Sequence, residues 1–420
     1  MSDKSEHIVI VGAGAAGLIA ARELARAGKR VTILEARDRC GGRIHPLPAS
    51  QFGYAADGGA EFVHGEAPVT RGLLGEAGLS LQAIEGTQWS FGGAKFSRES
   101  RDDPHETELH AALKELKDDL TVAEFLRRHF SGDEYARMRR SIERMVEGYD
   151  AADPERASTL ALREEWMDGG HHTQGRIVGG YGALIAFLAA ECSRHGVAIR
   201  HGCVVAAIEE SSGDLAVRCA GGEVLSCGKV ILTVPLPLLP EIALPIGARE
   251  KAALAADIGF GNVVKILLRF TKPWWLDWTD DLTFLLSDKT IPVWWTQRPA
   301  EYPVLTGWFG GPRTAELAGL DPHALIDAGI SSLATIFGLP RHDLARDVVA
   351  AVATNWAHDP FARGAYSWAR PQTRAAQTIL ARADGPVLFS GEALYRGRDM
   401  GTVEAALASG LETAGMILRG

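Results

Sequence analysis

The amino-acid sequence predicts an α/β protein in two parts: a parallel sheet assembled from separated stretches of chain, and an α+β domain threaded between those stretches. Three observations point there. The chain opens on a strand–helix–strand pattern, closes on a buried strand followed by a long helix, and carries two mixed blocks in between. At 420 residues it also exceeds what one hydrophobic core usually serves.

His7-Ile-Val-Ile-Val11 is an apolar run bounded by glycine and reads as a buried parallel strand. A helix follows from about Ala15 to Ala27, with Leu18, Ala21, Leu24 and Ala25 on one face and Gly28 as its stop. Arg30 to Leu34 is the next strand. Residues 98–120 are charge-rich, with Leu109, Leu113, Leu116 and Leu120 at helical spacing, and predict a surface helix; residues 121–149 predict more helix. Tyr181 to His195 is an apolar helix ended by Gly196. Short strands are expected at 197–200, 203–209, 214–219 and 223–226, and a buried one from Lys229 to Thr233. The block from 236 to about 375 mixes strands with a helix near 321–337 and holds most of the tryptophans. Pro386 to Ser390 is again a buried strand, and Thr402 to about Leu418 a long helix. The sheet domain is thus expected from 1–75, 176–235 and 376–420, and the second domain from 76–175 and 236–375.

Hydrophobic residues make up 46% and charged residues 23%, the balance of an ordinary globular protein. The net charge is −9 and no run of lysine or arginine occurs, which argues against a nucleic-acid partner. The five cysteines (Cys40, Cys192, Cys203, Cys219 and Cys227) are odd in number and form no CxxC pair. Structural zinc and a disulfide framework are disfavoured, and a reducing cytoplasm fits best. Met1 to His7 is too short and polar for a signal peptide, and no run reaches the roughly 20 apolar residues of a membrane span.

Gly12-Ala-Gly14-Ala15-Ala16-Gly17 sits between the first strand and the first helix. Gly12 permits the tight turn, Gly14 lets the backbone approach a pyrophosphate at the positive start of the helix, and Gly17 lets the helix pack on the strand. Glu35 ends the second strand at the spacing expected for an acidic group that accepts hydrogen bonds from ribose hydroxyls. This context predicts a Rossmann-like dinucleotide-binding domain, although the fingerprint alone does not separate NAD from FAD.

The next residues do. Glu35-Ala36-Arg37-Asp-Arg-Cys-Gly41-Gly42-Arg43 resembles the second signature of the flavin-dependent amine oxidase superfamily, which includes monoamine oxidases, polyamine oxidases and flavin-type histone lysine demethylases. The resemblance runs along nearly the whole chain. Asp57-Gly-Gly59-Ala60-Glu61-Phe-Val-His64-Gly65 resembles the segment beside the flavin ring, and Val178 to Leu184 the start of the middle helix. Val205 matches the position whose backbone meets adenine, and Ile231-Leu-Thr233-Val-Pro235 resembles the strand near the cofactor. Ser390-Gly391-Glu392 and Gly401-Thr402-Val403-Glu-Ala-Ala406 resemble the C-terminal signature. The resemblance implies that Arg43 neutralises pyrophosphate or flavin charge, that Glu392 bonds ribityl or ribose hydroxyls, and that the amides opening the last helix face the flavin pyrimidine carbonyl. Cys40, within the second signature, reads as a small neutral filler.

Ile258 to Phe270 resembles the family segment whose lysine, here Lys265, reaches flavin N5 through a water and assists reoxidation or proton handling. A lysine among such apolar neighbours needs a partner. Asn355 to Trp368 resembles the segment whose aromatic, here Tyr366, walls the substrate amine in front of the flavin. Two departures matter. Ala365 stands where covalent-flavin members carry cysteine, which implies non-covalent FAD. Thr402 stands where monoamine oxidases carry a second tyrosine, which leaves Trp356 or Trp368 as candidates for the other wall. Glu61 and His64 are candidates for the substrate pocket; Trp166, Asp168, His171 and His172, and equally Trp294, Trp295 and Trp308, are candidates for its mouth. Trp274-Trp275 reads as packing.

The resemblance therefore implies an FAD-dependent amine oxidase that passes hydride from the amine α-carbon to flavin N5, giving imine, then aldehyde, and hydrogen peroxide. Its partners would be a small monoamine or polyamine and molecular oxygen, with no metal. A desaturase or porphyrinogen-type oxidase acting on a large apolar substrate shares the N-terminal signatures but generally lacks the Lys265 and Tyr366 segments. A flavin-holding protein without turnover is the alternative of another class. A histone demethylase role is disfavoured, because the chain leaves no room for the long helical insert or the extra N-terminal domain of those enzymes.

Overall fold

The structure is a computed structural model that describes residues 6–93, 95–98, 103–167, 174–211 and 213–419, apart from the side chains of residues 164–166. Asp168, His171 and His172, and the side chain of Trp166, lie outside the described residues.

The opening strand β1 (His7–Val11), helix α1 (Ala15–Arg26) and strand β2 (Arg30–Leu34) form the expected unit. Three further strands complete a five-stranded parallel sheet in the order Val387–Phe389, Lys229–Leu232, β1, β2, Ala198–Arg200. All five residues of β1 are buried, as a strand covered on both faces requires. On one face α1 packs with the helices Gly180–Arg194 and Val403–Arg419, around Leu18, Leu24, Leu184, Leu188 and Leu407. A three-stranded antiparallel sheet, Val205–Ser211, Asp214–Cys219 and Val224–Cys227, packs toward the other face through Ile208, Val217 and Leu225.

The second large element is a seven-stranded mixed sheet in the order Val348–Asn355, Val263–Phe270, Val304–Gly310, Val293–Trp295, Leu282–Ser287, Thr87–Gly92, Lys95–Arg98. Helix Pro322–Phe337 covers one face of it. Asp321 caps that helix through the amide of Ala324, proline holds the first position, and Gly338 in the left-handed region ends it. Val264, Ile266, Leu268 and Phe270 point to this covered face and share one core with Leu325, Ile330 and Leu333. The alternate residues of the same strand, Lys265 and Leu267, therefore point the other way, toward the 49–61 segment.

Among the described residues of 98–149 lie three α-helices, Glu106–Glu115, Val122–His129 and Ala136–Gly148, the last preceded by a 3-10 turn at Asp133–Tyr135. Leu109 and Leu113 do not lie on a free surface: they are buried against Phe125, Leu126, Met138 and Ile142 in a helical core of their own. Among the described residues no helix is long and apolar enough to cross a membrane.

Candidate active site

One cavity of about 2070 Å³ runs between the parallel sheet and the seven-stranded sheet. An ordinary ligand pocket holds roughly 300–1,000 Å³, so this cleft has space for a large cofactor and a second molecule together.

The glycine turn forms one end. Gly12 has φ +109°, and an added Cβ would lie 2.6 Å from the Thr233 hydroxyl. At Gly17 a Cβ would lie 2.0 Å from the Gly12 carbonyl. Both contacts fix the identity of these residues as glycine. Gly14 is different: nothing lies within 4 Å of a Cβ built there, and as the N-cap of α1 it carries no capping side chain. The amides that open α1 thus face open cleft at Ala15 and Ala16. The Glu35 carboxylate accepts from the amides of Ala13 (2.7 Å) and Arg37 (2.9 Å) and still borders the cleft beside Ala36, Cys203 and Val205. Arg37 is tied to Asp359 by two hydrogen bonds of 2.9 and 2.6 Å.

Gly41 and Gly42, both at positive φ, carry the chain past Gly14 to Arg43. Arg43 donates to the Ala365 carbonyl (2.7 Å) and the Glu392 carboxylate (2.8 Å), and Glu392 also accepts from Ser367. Gly391 and Gly401 line the same stretch. Thr402 caps the last helix by accepting from the amide of Ala405, with Val403 the first helical residue. The bare helix start, the two glycine pairs and a carboxylate at the strand end, set along one continuous cleft, fit an adenine dinucleotide in chemistry and in length.

At the far end, Gly59 is pressed against Arg43, where a Cβ would lie 1.9 Å from the Arg43 carbonyl. This contact presents the backbone oxygens of residues 57 and 59 to Lys265, which is 1% exposed and lies in the second strand of the seven-stranded sheet. The ammonium donates to Asp57 O (2.7 Å), Gly59 O (2.9 Å) and the Glu61 carboxylate (2.9 Å). Those three acceptors take up all three of its N–H donors, so in this geometry no donor is left for a water bridge. Glu61 also accepts from Arg176 (2.8 Å), from Trp295 Nε1 (3.1 Å) and from Gln297 (3.3 Å). Burial pushes the Glu61 carboxyl up, but Lys265 and Arg176 outweigh it and hold the group at about 2. Asp57, buried with one carboxylate oxygen unpartnered, is instead pushed up to about 7, chiefly by burial.

Strand register places the aromatic residues over this cluster. Lys265 pairs with Trp308, and Trp295 pairs with Thr306 on the neighbouring strand, so Lys265, Trp308 and Trp295 share one face of the sheet. Trp308 stacks on Tyr366 with ring centroids 6.4 Å apart and planes 19° from parallel. Ring contacts continue from Trp308 to Trp295 (5.7 Å), Phe62 (5.3 Å), His64 (6.2 Å) and Tyr149 (5.7 Å). The Tyr366 hydroxyl closes the circuit by donating to the Tyr149 carbonyl (2.5 Å). All six rings border the cleft.

The ring against Tyr366 is therefore Trp308. Trp356 packs among Ala151, Val263, Ala362 and Ala365 and touches the cleft; Trp368 packs with the helical core and borders the cleft as well. Trp294 is fully buried on the opposite face, with Ile266 and Ile291. Trp274 and Trp275 lie in that same core. Tyr149, Phe62, Arg176 and Gln297 escape sequence reading. Tyr149 follows a charged helix with no motif, while Arg176 gives one faint signal, a cation in a short strand just before the Gly179-Gly180 turn.

The description "Flavin containing amine oxidoreductase" belongs to the family whose model matches residues 15–418. The chain belongs to this family. Among curated relatives it is 25% identical, over 98% of its length, to lysine-specific histone demethylase 1 homolog 2 of Oryza sativa subsp. japonica, of which it covers 57%. It is 28% identical to polyamine oxidase 2 of Arabidopsis thaliana, over 66% of this chain and 61% of that one. The chain thus spans about three-fifths of the length of these two relatives. In fold it resembles wild-type putrescine oxidase bound to putrescine, with a TM-score of 0.82, 19% identity and 99% of each chain covered. It also resembles cyclohexylamine oxidase from Brevibacterium oxydans IH-35A, with a TM-score of 0.79, 21% identity and 98% of each chain covered. The family's cofactor is a flavin, and the cleft has the shape and donors for FAD held without a covalent bond, since Ala365 offers no thiol beside Tyr366.

Proposed function

We propose that the protein is an amine oxidase that holds FAD in the cleft, oxidises the carbon–nitrogen bond of a small amine, and uses molecular oxygen as acceptor. The observation that carries this reading is the closed circuit of Tyr366, Trp308, Trp295, Phe62, His64 and Tyr149 above the buried Lys265–Glu61–Arg176 cluster, at the end of the cleft that begins with the glycine turn. Segments 1–75, 176–235 and 376–420 form the dinucleotide-binding part in this reading, and 76–175 with 236–375 the substrate part. The five thiols, none of them paired, suit a reducing compartment.

Bound flavin supplies the redox chemistry by accepting a hydride from the carbon beside nitrogen. The chain's residues supply position and electrostatics. The amides of Ala15 and Ala16 would receive the pyrophosphate, Glu35 would receive the adenosine ribose, and Gly59, Ala60 and Thr402 line the part of the cleft where the ring would lie. Tyr366 and Trp308 present flat faces to the amine and exclude water from it. Rate should rise with pH as the substrate amine loses its proton, because a protonated nitrogen holds no free pair to release.

The deciding experiment is anaerobic bleaching of the bound flavin by a panel of monoamines, diamines, polyamines and methylated lysine peptides. Bleaching by none of them, or a purified protein that takes up no yellow chromophore, ends this reading. Trp308→Ala is expected to lower kcat/KM for the best amine about tenfold without loss of flavin, since it removes one wall and leaves the dinucleotide end intact. Glu35→Ala should weaken FAD retention by about one to two orders of magnitude, the scale of hydrogen bonds to a charged group. Equilibrium dialysis of FAD checks it, and unchanged affinity rejects the ribose contact.

A further inference from the structure

We infer that Glu61 is a positioning residue that locks the Lys265 ammonium at the ring end of the cleft, its charge spent inside the protein rather than on a substrate amine. The inference rests on the amine oxidase reading, with Lys265 assisting flavin reoxidation through its charge. A carboxylate has about four lone-pair sites. On Glu61 these meet four donors: Lys265, Arg176, Trp295 and Gln297. None is left for an incoming ammonium, and the half-buried Phe62 ring covers the Arg176 guanidinium, 4.6 Å from its centroid, on the cleft side.

Seen from Lys265, two of the three acceptors are backbone carbonyls, fixed by the contact of Gly59 with Arg43. Glu61 is the third, and the only one that carries charge. A long, flexible amine is confined only when its contacts surround it, so the carboxylate fixes where the positive charge stands. The electrostatic sum also favours catalysis. With the Asp57 carboxyl protonated, as it is below about pH 7, two cations and one anion leave the cluster with a surplus positive charge. A surplus positive charge near the reacting nitrogen favours its neutral form, whereas a free carboxylate would favour the unreactive ammonium.

The test uses flavin-loaded protein reduced anaerobically with dithionite and mixed with oxygenated buffer, so that substrate identity does not enter. Glu61→Gln is expected to slow reoxidation about tenfold and Lys265→Met about a hundredfold. The double variant should match Lys265→Met within about twofold, because both changes remove one interaction. For the amine that bleaches the flavin fastest, Glu61→Gln should leave KM within about threefold. Multiplicative slowing in the double variant overturns the inference, as does unchanged reoxidation with a KM raised about tenfold, the signature of an amine anchor. Unchanged reoxidation in Lys265→Met overturns the reading of Lys265 itself. Should Glu61→Gln fail to accumulate, Glu61→Asp keeps the charge but withdraws the carboxylate by one carbon–carbon bond, about 1.5 Å. It should slow reoxidation about threefold, and a wild-type rate there would equally count against the inference.

Discussion

Lys265→Met is expected to slow the reaction of reduced enzyme with oxygen about a hundredfold, while reduction by amine under anaerobic conditions changes by less than about threefold. Methionine is unbranched like lysine and one atom shorter, so it fills most of the space beside the strand and the sheet face shared with Trp308 is kept. What disappears is a fixed, buried charge, and a buried charge acts more strongly than one in solvent. Stability should fall as well. Breaking a buried pair costs about 3–5 kcal/mol, and the lower end is expected here because Arg176 still faces Glu61. Two backbone carbonyls, of Asp57 and Gly59, also lose their donor. Stopped-flow traces of each half-reaction, with urea unfolding of the same sample, check both parts. Equal slowing of the two half-reactions rejects the assigned role.

The second large effect concerns Asp57 and shows in stability rather than rate. Its carboxyl is raised from 3.8 to about 7, first by burial, against the opposing pull of Lys265. Between those values the folded protein holds a proton that the unfolded chain has released, so stability falls as pH rises through this window and levels off above about pH 7. The three-unit shift corresponds to roughly 4 kcal/mol. Asp57→Asn keeps an oxygen to accept from the amide of Tyr181 and removes the titration. Wild type and variant should be similar near pH 4 and diverge toward pH 8, with the variant the more stable. Thermal unfolding at a series of pH values with the flavin occupancy held constant measures this, and a gap that does not vary with pH contradicts it.

The dinucleotide end is legible in the sequence because its requirements are local. Gly12 and Gly17 are dictated by contacts with Thr233 and with each other, and Glu35 stands at the end of β2 by simple counting. The reacting end is legible only in part. Lys265 and Tyr366 announce themselves through motif resemblance, and Ala365 through what it replaces. Trp308 is legible only as a candidate for the pocket mouth, because its pairing with Lys265 depends on the register between two strands with a third and fourth strand lying between them in sequence. Tyr149 and Arg176 reach the site from a helix end and a short strand whose positions are set by packing alone. The burial of Leu109 and Leu113 has the same origin: a charged helix looks like surface until the neighbours that cover its apolar stripe are known.

The order of strands in the parallel sheet bears on how the protein comes into being. β1 and its glycine turn are made before the other strands of this sheet, yet β1 lies between β2 and the strand Lys229–Leu232, and one of the helices that rest on α1 is Val403–Arg419. The nucleotide half therefore stays unfinished until Val387–Phe389 and Val403–Arg419 have been made, and its most distant pairings must wait for the slow closure of very long loops. Cofactor capture then waits for this last strand, and a ribosome-stalled chain ending before Val387 should retain no yellow colour.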